Sequence, residues 1–107
     1  MIKKFLDYLK FERNYSPDTI EDYDADLSAF EQFFRKLDPQ LTWETVDADV
    51  IRDWMEDMMD RGNAARSVNR RLSALRSLFR YALSHHLVSK DPAHLIRGPK
   101  ADKPLPY

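Results

Sequence analysis

Apolar residues recur at steps of three and four in four stretches of the chain, with polar residues between them. Such steps place side chains on one face of a helix. The four apolar sets are Ile2, Phe5, Leu6 and Leu9; Ile20, Tyr23, Leu27, Phe30, Phe34 and Leu37; Val50, Ile51, Trp54, Met55, Met58 and Met59; and Val68, Leu72, Leu75, Phe79, Ala82 and Leu83. The pattern predicts four amphipathic helices, and Trp43 and Val46 are expected to anchor the link between the second and the third.

Capping and breaking residues set the ends of the second and third helices. Ser16-Pro17 is typical of an N-cap followed by proline at the first helical position. Pro39 is expected to stop that helix. Asp47 suits the N-cap of the third helix, and Gly62 suits the residue just after its end.

The fourth helix is predicted from about residue 64 to residue 86, and its N-cap is either Asn63 or missing. Asp91-Pro92 repeats the cap-and-proline signal and predicts a short fifth helix through Ile96. Residues 97–107 contain three prolines and no apolar periodicity, so they read as a semi-extended linker. We expect a helical domain over residues 1–96 and a linker over 97–107 that leads to a further domain.

Composition supports one all-helical domain. Of the 107 residues, 43% are apolar, two are glycine and none is cysteine. This supply of apolar side chains argues against disorder, and the absence of cysteine excludes disulfides. The sequence shows no signal peptide and no apolar run of membrane-spanning length. A soluble, cytoplasmic protein without a membrane partner is the expectation.

The charge is divided between the two halves of the chain. Residues 1–60 contain 7 Lys/Arg and 16 Asp/Glu, whereas residues 61–107 contain 10 Lys/Arg and 2 Asp/Glu. The whole-chain net charge of −1 conceals this division. Two explanations stay open at this point: the basic half binds a polyanion such as nucleic acid, or two packed faces complement each other.

One face of the predicted fourth helix collects basic and short polar side chains. With Leu72 at zero and about 100° per residue, seven of them fall between about +40° and +160°. They are Arg66, Asn69, Arg70, Ser73, Arg76, Ser77 and Arg80. No acidic residue occurs between Arg61 and Lys90, so these arginines lack a carboxylate partner on their own helix.

An arginine face with short hydrogen-bonding side chains suits phosphate oxygens and base edges. Because Arg70 and Arg76 lie outside the apolar stripe, replacing either by Ala is not expected to unfold the domain. One alternative is that the arginines pair with the acidic first half of the same molecule. Another is a helical protein–protein module that grips an acidic partner.

Catalytic, metal and cofactor sites are not indicated. His85 and His86 are adjacent, so they cannot face one site from a helix, and with His94 they form no metal-ligand spacing. At the end of a helix, imidazoles favour the dipole. No glycine-rich phosphate loop or nucleophile motif occurs, so we expect no enzymatic activity and no cofactor.

Two segments resemble the amino-terminal domain of Xer-type tyrosine recombinases and phage integrases. Residues 16–27 match the pattern S-x-x-T-x-x-x-Y-x-x-D-L, and residues 66–77 resemble R-T-I-N-R-R-L-S-A-L-R-S. Asp91-Pro92-Ala93, Pro99-Lys100 and Leu105-Pro106 are similar to the family's exit into its interdomain linker. The resemblance covers essentially the whole chain, in the right order.

The resemblance implies a SAM-like core-binding bundle of four to five helices that forms half of a clamp around duplex DNA. It implies that Thr19 contacts phosphate at the start of the second helix. It places Arg66, Asn69, Arg70, Ser73 and Arg76 along the DNA, and Lys100 where the linker follows the strand. The family's catalytic groups belong to a later domain, so Tyr107 is not the nucleophile.

The resemblance also implies that protomers assemble on DNA, whereas we expect the isolated domain to be a monomer. Asp24 and Ala25 stand where the family often has basic residues. The second helix is therefore expected to be a poor ligand for a polyanion.

Overall fold

The computed structural model describes residues 1–99, and they form an all-helical bundle with no strand in that range. The helices are α1 (Ile2–Phe11), α2 (Pro17–Leu37), α3 (Ala48–Asp60) and α4 (Ala65–Ser84). They coincide with the four apolar stretches, so the predicted fold class is confirmed.

Side-chain caps and one glycine set the helix ends as the sequence predicts. The Ser16 hydroxyl accepts a hydrogen bond from the Thr19 amide at 3.3 Å, and Asp47 accepts one from the Val50 amide at 3.1 Å. Gly62 follows the end of α3 with φ +87°, a left-handed conformation that glycine adopts without steric cost. These caps supply partners for backbone groups that a helix end leaves unpaired.

α2 and α4 are the central pair of the bundle. Each contacts the three other helices, whereas α1 and α3 do not touch one another within the described residues. An aromatic cluster fills the space between these helices and the α2–α3 link. It comprises Phe30, Phe34, Trp43, Trp54 and Phe79, with ring centroids 4.9–5.9 Å apart in the contacting pairs. Because α4 packs against all three other helices, the bundle holds its outward face in a fixed position.

Three residues assigned to the core by periodicity are exposed instead. Leu37, Met59 and Leu83 have relative exposures of 53%, 45% and 40%. All three lie in the last turn or two of their helices, where no neighbouring element covers them. The helix pattern therefore continues beyond the region that the bundle buries.

The predicted fifth helix is wrong, because residues 92–95 form a turn. The Asp91 carboxylate accepts a hydrogen bond from the Ala93 amide at 3.0 Å, and the Ile96 amide donates to the Ala93 carbonyl at 3.2 Å. A side chain that binds the backbone two residues later favours a turn over a helix. Two buried residues hold this segment on the bundle: Ala93 within the turn and Ile96 directly after it.

Candidate nucleic-acid interface

Three polar side chains of the predicted site are exposed on the outward face of α4. These are Arg66, Ser73 and Arg80. Their side chains form no hydrogen bond or ion pair within residues 1–99. Arg66 and Arg80 are 14 residues apart, which corresponds to about 21 Å along a helix axis. The face therefore offers two separated guanidinium groups with a hydroxyl between them.

The N-terminus of α4 has no side-chain cap. Its N-cap is Ala64, and the Asn63 amide instead donates to the Met58 carbonyl of α3 at 2.9 Å. Of the two alternatives for this helix start, the missing cap is correct. The first amide groups of α4 are thus left without a side-chain acceptor, next to Arg66.

Arg70 is held by a buried carboxylate of α2. Its Nε and Nη2 donate to the two Asp26 oxygens at 3.3 and 3.1 Å. The Asp26 side chain is 5% exposed, whereas that of Arg70 is 60% exposed. One arginine of the face is therefore paired with the acidic half of the chain, as one alternative predicted. Most of its side chain still faces solvent.

Arg71 approaches the same carboxylate from the α3 side of the helix. Its Nε lies 3.4 Å from Asp26 Oδ1, but the N–H is not aligned for a hydrogen bond. Its Nη1 contacts the Met58 sulfur at 3.5 Å. Asp26 thus lies beside two arginines of α4, which leaves one net positive charge in the group, and ties this helix to α2.

Two more residues of the predicted site hold the segment that follows the bundle. Asn69 Nδ2 donates to the Pro99 carbonyl at 2.8 Å, and Arg76 Nη2 donates to the Ile96 carbonyl. Gly98 lies so close to α4 that a Cβ there would sit 1.8 Å from Asn69 Oδ1. The first residues of the predicted linker therefore pack on α4. Lys100, the last predicted site residue, lies outside the described residues.

A groove of about 220 Å³ between α2 and α4 brings three predicted residues together: Thr19, Arg70 and Ser73. The Thr19 hydroxyl lies 2.9 Å from the Ser16 hydroxyl, so it belongs to the N-terminal turn of α2. Asp22 also lines this groove. Its carboxylate opposes the approach of a phosphate from the α2 side.

Ser77 and Arg80 face a different neighbour, α1. They line a cleft of about 360 Å³ together with Tyr8, Arg13 and Tyr81. Burial raises the pKa of the Tyr81 phenol, with a smaller contribution from the negative charge of nearby carboxylates. Interaction with the Tyr8 hydroxyl raises the pKa of the Arg13 guanidinium, which stays charged at every pH of interest.

His85 packs on an aromatic ring at the end of α4. The His85 ring lies at the C-terminus of α4, 4.4 Å from the Tyr81 ring. Within residues 1–99, no group of three His, Cys, Asp or Glu side chains is arranged to hold a metal ion.

Comparison with known proteins identifies the family. The model described as "Phage integrase, N-terminal SAM-like domain" matches residues 2–86. The chain belongs to this family. The matched region of this SAM-like domain contains the whole bundle, including α4 and its outward face.

Curated relatives of the SAM-like domain are tyrosine recombinases. Tyrosine recombinase XerD of Bradyrhizobium diazoefficiens is 35% identical over 95% of the chain and 31% of its own length. Tyrosine recombinase XerC of Pediococcus pentosaceus is 34% identical over 100% of the chain and 36% of its own length. The chain thus spans about a third of the length of these relatives. None of the helices among residues 1–99 has the length and apolar character needed to span a membrane.

Sequence reasoning about the SAM-like domain missed three residues near the site: Arg13, Asp26 and Arg71. Asp26 falls on the buried side of α2, three residues after Tyr23 and four before Phe30. A carboxylate within a predicted core stripe is the signal that a cationic partner must come from another helix. Arg13 carries no such signal, because it lies in the α1–α2 link, and only the folded chain brings it near α4.

Proposed function

We propose that this domain binds duplex DNA through the outward face of α4, mainly at backbone phosphates. The observation that carries the proposal is the pair Arg66 and Arg80, which are exposed and form no ion pair within residues 1–99. The chain contains 18 acidic residues, so unpaired arginines on one face require an explanation. A phosphate backbone supplies closely spaced anionic acceptors along such a face.

Six of the seven polar residues of α4 are either exposed or engaged in hydrogen bonds with the segment that follows the bundle, and the seventh, Ser77, lines the cleft beside α1. Arg66, Ser73 and Arg80 are exposed, and Arg70 presents its outer edge beside Asp26. Asn69 and Arg76 donate hydrogen bonds to backbone carbonyls of the segment that follows the bundle. We therefore assign phosphate binding to the first group and to Thr19. Asn69 and Arg76, on the same face, would then hold the segment after the bundle in place while the domain is bound to DNA.

The wider role follows from the family. The curated relatives are named tyrosine recombinases, and this chain corresponds to about a third of their length. We propose that it is the part of such a recombinase that holds the recombination site, and that the catalytic groups lie outside these 107 residues. Protomers of that recombinase are expected to assemble on the DNA.

Nuclear magnetic resonance tests the proposed surface directly. Adding a short duplex to the isotopically labelled domain should shift amide signals along α4, and those of α3 should change little. Replacing Arg66 or Arg80 by Ala should weaken binding about eightfold each at 0.1 M salt, because each lost phosphate contact removes about 0.9 released ions.

Arg52→Ala is the matched control, because Arg52 is an exposed arginine on α3 that pairs with Asp49. It should leave the affinity unchanged. Shifts confined to α3, or equal losses for all three arginines, would contradict the proposed surface. Tight binding to acidic peptides with no response to duplex would favour the protein–protein alternative.

A further inference from the structure

The cleft between α1 and α4 has the chemistry of an anion site. Two arginines, Arg13 and Arg80, line it, together with Ser77, Ser84 and four tyrosines. No carboxylate is among its lining residues. The groove between α2 and α4 includes the carboxylates of Asp22 and Asp26, whereas the charged side chains of the α1–α4 cleft are all positive.

Both guanidinium groups of this cleft are available to a ligand. Arg13 and Arg80 are exposed, and neither pairs with a carboxylate within residues 1–99. The Arg13 guanidinium lies over the Tyr15 ring, 5.7 Å from its centroid. Stacking on an aromatic ring limits the freedom of the side chain, and a guanidinium has five N–H donors, so the interaction with Tyr8 leaves others for a ligand. The two arginines come from different parts of the sequence, so the fold creates the site.

Hydroxyl groups complete the set of donors. The Ser77 hydroxyl and the Tyr8 hydroxyl have no acceptor within residues 1–99 that satisfies hydrogen-bond geometry. Tyr8 is fixed by contacts with the rings of Phe5 and Tyr81, at centroid distances of 6.4 and 4.8 Å. Fixed hydroxyls beside guanidinium groups provide the short charge-assisted hydrogen bonds that phosphate oxygens accept.

We propose that the α1–α4 cleft binds a phosphate group, supplied by a DNA strand that continues past the outward face of α4. The inference rests on the proposed function for the source of the phosphate. Arg80 belongs both to that face and to this cleft, so one strand can follow α4 and reach Arg13. Asp7 and Glu12 act electrostatically on Tyr81 at the rim, and they weaken the site without closing it.

The first test compares Arg13→Ala with Lys10→Ala in duplex titrations. Lys10 is an exposed cation of α1 that does not line the cleft. At 0.1 M salt, Arg13→Ala should weaken binding about eightfold and reduce the slope of log K against log salt by about 0.9. Lys10→Ala should alter the affinity less than twofold. Glu12→Gln should strengthen binding, since it removes a negative charge from the rim.

Equal affinities for Arg13→Ala and Lys10→Ala, with wild type binding duplex normally, would overturn the inference while leaving the proposed function intact. A second arm titrates inorganic phosphate and follows the signals of residues around Tyr8 and Ser77. Millimolar phosphate binding without an Arg13 effect on duplex would mean that the cleft takes a small anion and not a strand. If wild type binds no duplex, the proposed function fails, and the phosphate titration alone decides the anion site.

Discussion

Replacing Arg70 by Ala should destabilise the domain even though most of the Arg70 side chain is exposed. The carboxylate of Asp26 is 5% exposed and accepts two hydrogen bonds from Arg70, at 3.3 and 3.1 Å. Removing one partner of a buried ion pair costs about 3–5 kcal/mol. The remaining charge of Arg71, 3.4 Å from Asp26, and the access of solvent reduce this to about 2–3 kcal/mol.

Removing the Asp26 carboxylate should lower the free energy of unfolding less than removing the Arg70 side chain does. Asp26→Asn keeps the shape of the side chain, and the freed Arg70 can turn its guanidinium into water. We expect a loss of about 1–2 kcal/mol from the lost charged hydrogen bonds. In the double variant, the buried carboxylate is gone and only Arg71, whose side chain is 29% exposed, loses a partner, so the two costs should fall short of additivity by about 1–2 kcal/mol.

Urea unfolding followed by tryptophan fluorescence measures these costs, because Trp43 and Trp54 are both buried. Arg52→Ala is the control, since its pair with Asp49 is exposed on both sides and should contribute less than about 1 kcal/mol. If Arg70→Ala unfolds at the same urea concentration as Arg52→Ala, Asp26 does not depend on Arg70 and the reasoning fails.

Four further predictions concern Gly98, the start of α4, the Tyr81 phenol and the reaction of the chain with DNA. Gly98→Ala should lower the free energy of unfolding by about 1–3 kcal/mol, because the added methyl group clashes with Asn69. In a chain that already carries Asn69→Ala, urea unfolding should show that most of this loss is gone. Equal losses with and without Asn69→Ala would contradict the contact. Ala64→Ser should add about 1 kcal/mol by capping α4, and an unchanged melting temperature would show that the first turn is already satisfied. Because burial raises the pKa of Tyr81 above 10.0, the phenol ionises first in the unfolded chain, and the stability of wild type should fall above pH 10. The Tyr81→Phe variant should lose less stability over the same pH range. Urea midpoints that fall equally with pH in both proteins would refute this. The chain should form no covalent product with a nicked duplex on a denaturing gel, and a slower-migrating adduct would place a nucleophile within these residues.

The bundle could be predicted because its information is local. Apolar steps of three and four, with Ser16, Asp47 and Gly62 at the helix ends, define elements without reference to the rest of the chain. The fifth helix failed where two local signals coincide. Asp91 can cap a helix or close a turn, and only the packing of Ile96 against the bundle selects the turn.

The partners of α4 could not be predicted because they come from distant parts of the sequence. A helical projection places Arg70, Asn69 and Arg76 on one polar face, and it gives no information on what lies opposite. Asp26 is 44 residues from Arg70, and Pro99 is 30 residues from Asn69. The expectation that Arg70 and Arg76 can be replaced without unfolding the domain took no account of these contacts, which join both side chains to other segments.

The salt dependence of duplex binding tests the central claim most directly. On the outward face of α4, Arg66, Arg70 and Arg80 should neutralise about three phosphates and contribute roughly −3 to the slope of log K against log salt, with a dissociation constant of about 10⁻⁴–10⁻⁶ M near physiological salt. The Arg66→Ala/Arg80→Ala variant should fold normally and reduce the magnitude of the wild-type slope by roughly 2. A wild-type affinity that ignores salt, or a double variant with the wild-type slope, would contradict a DNA-binding face on α4.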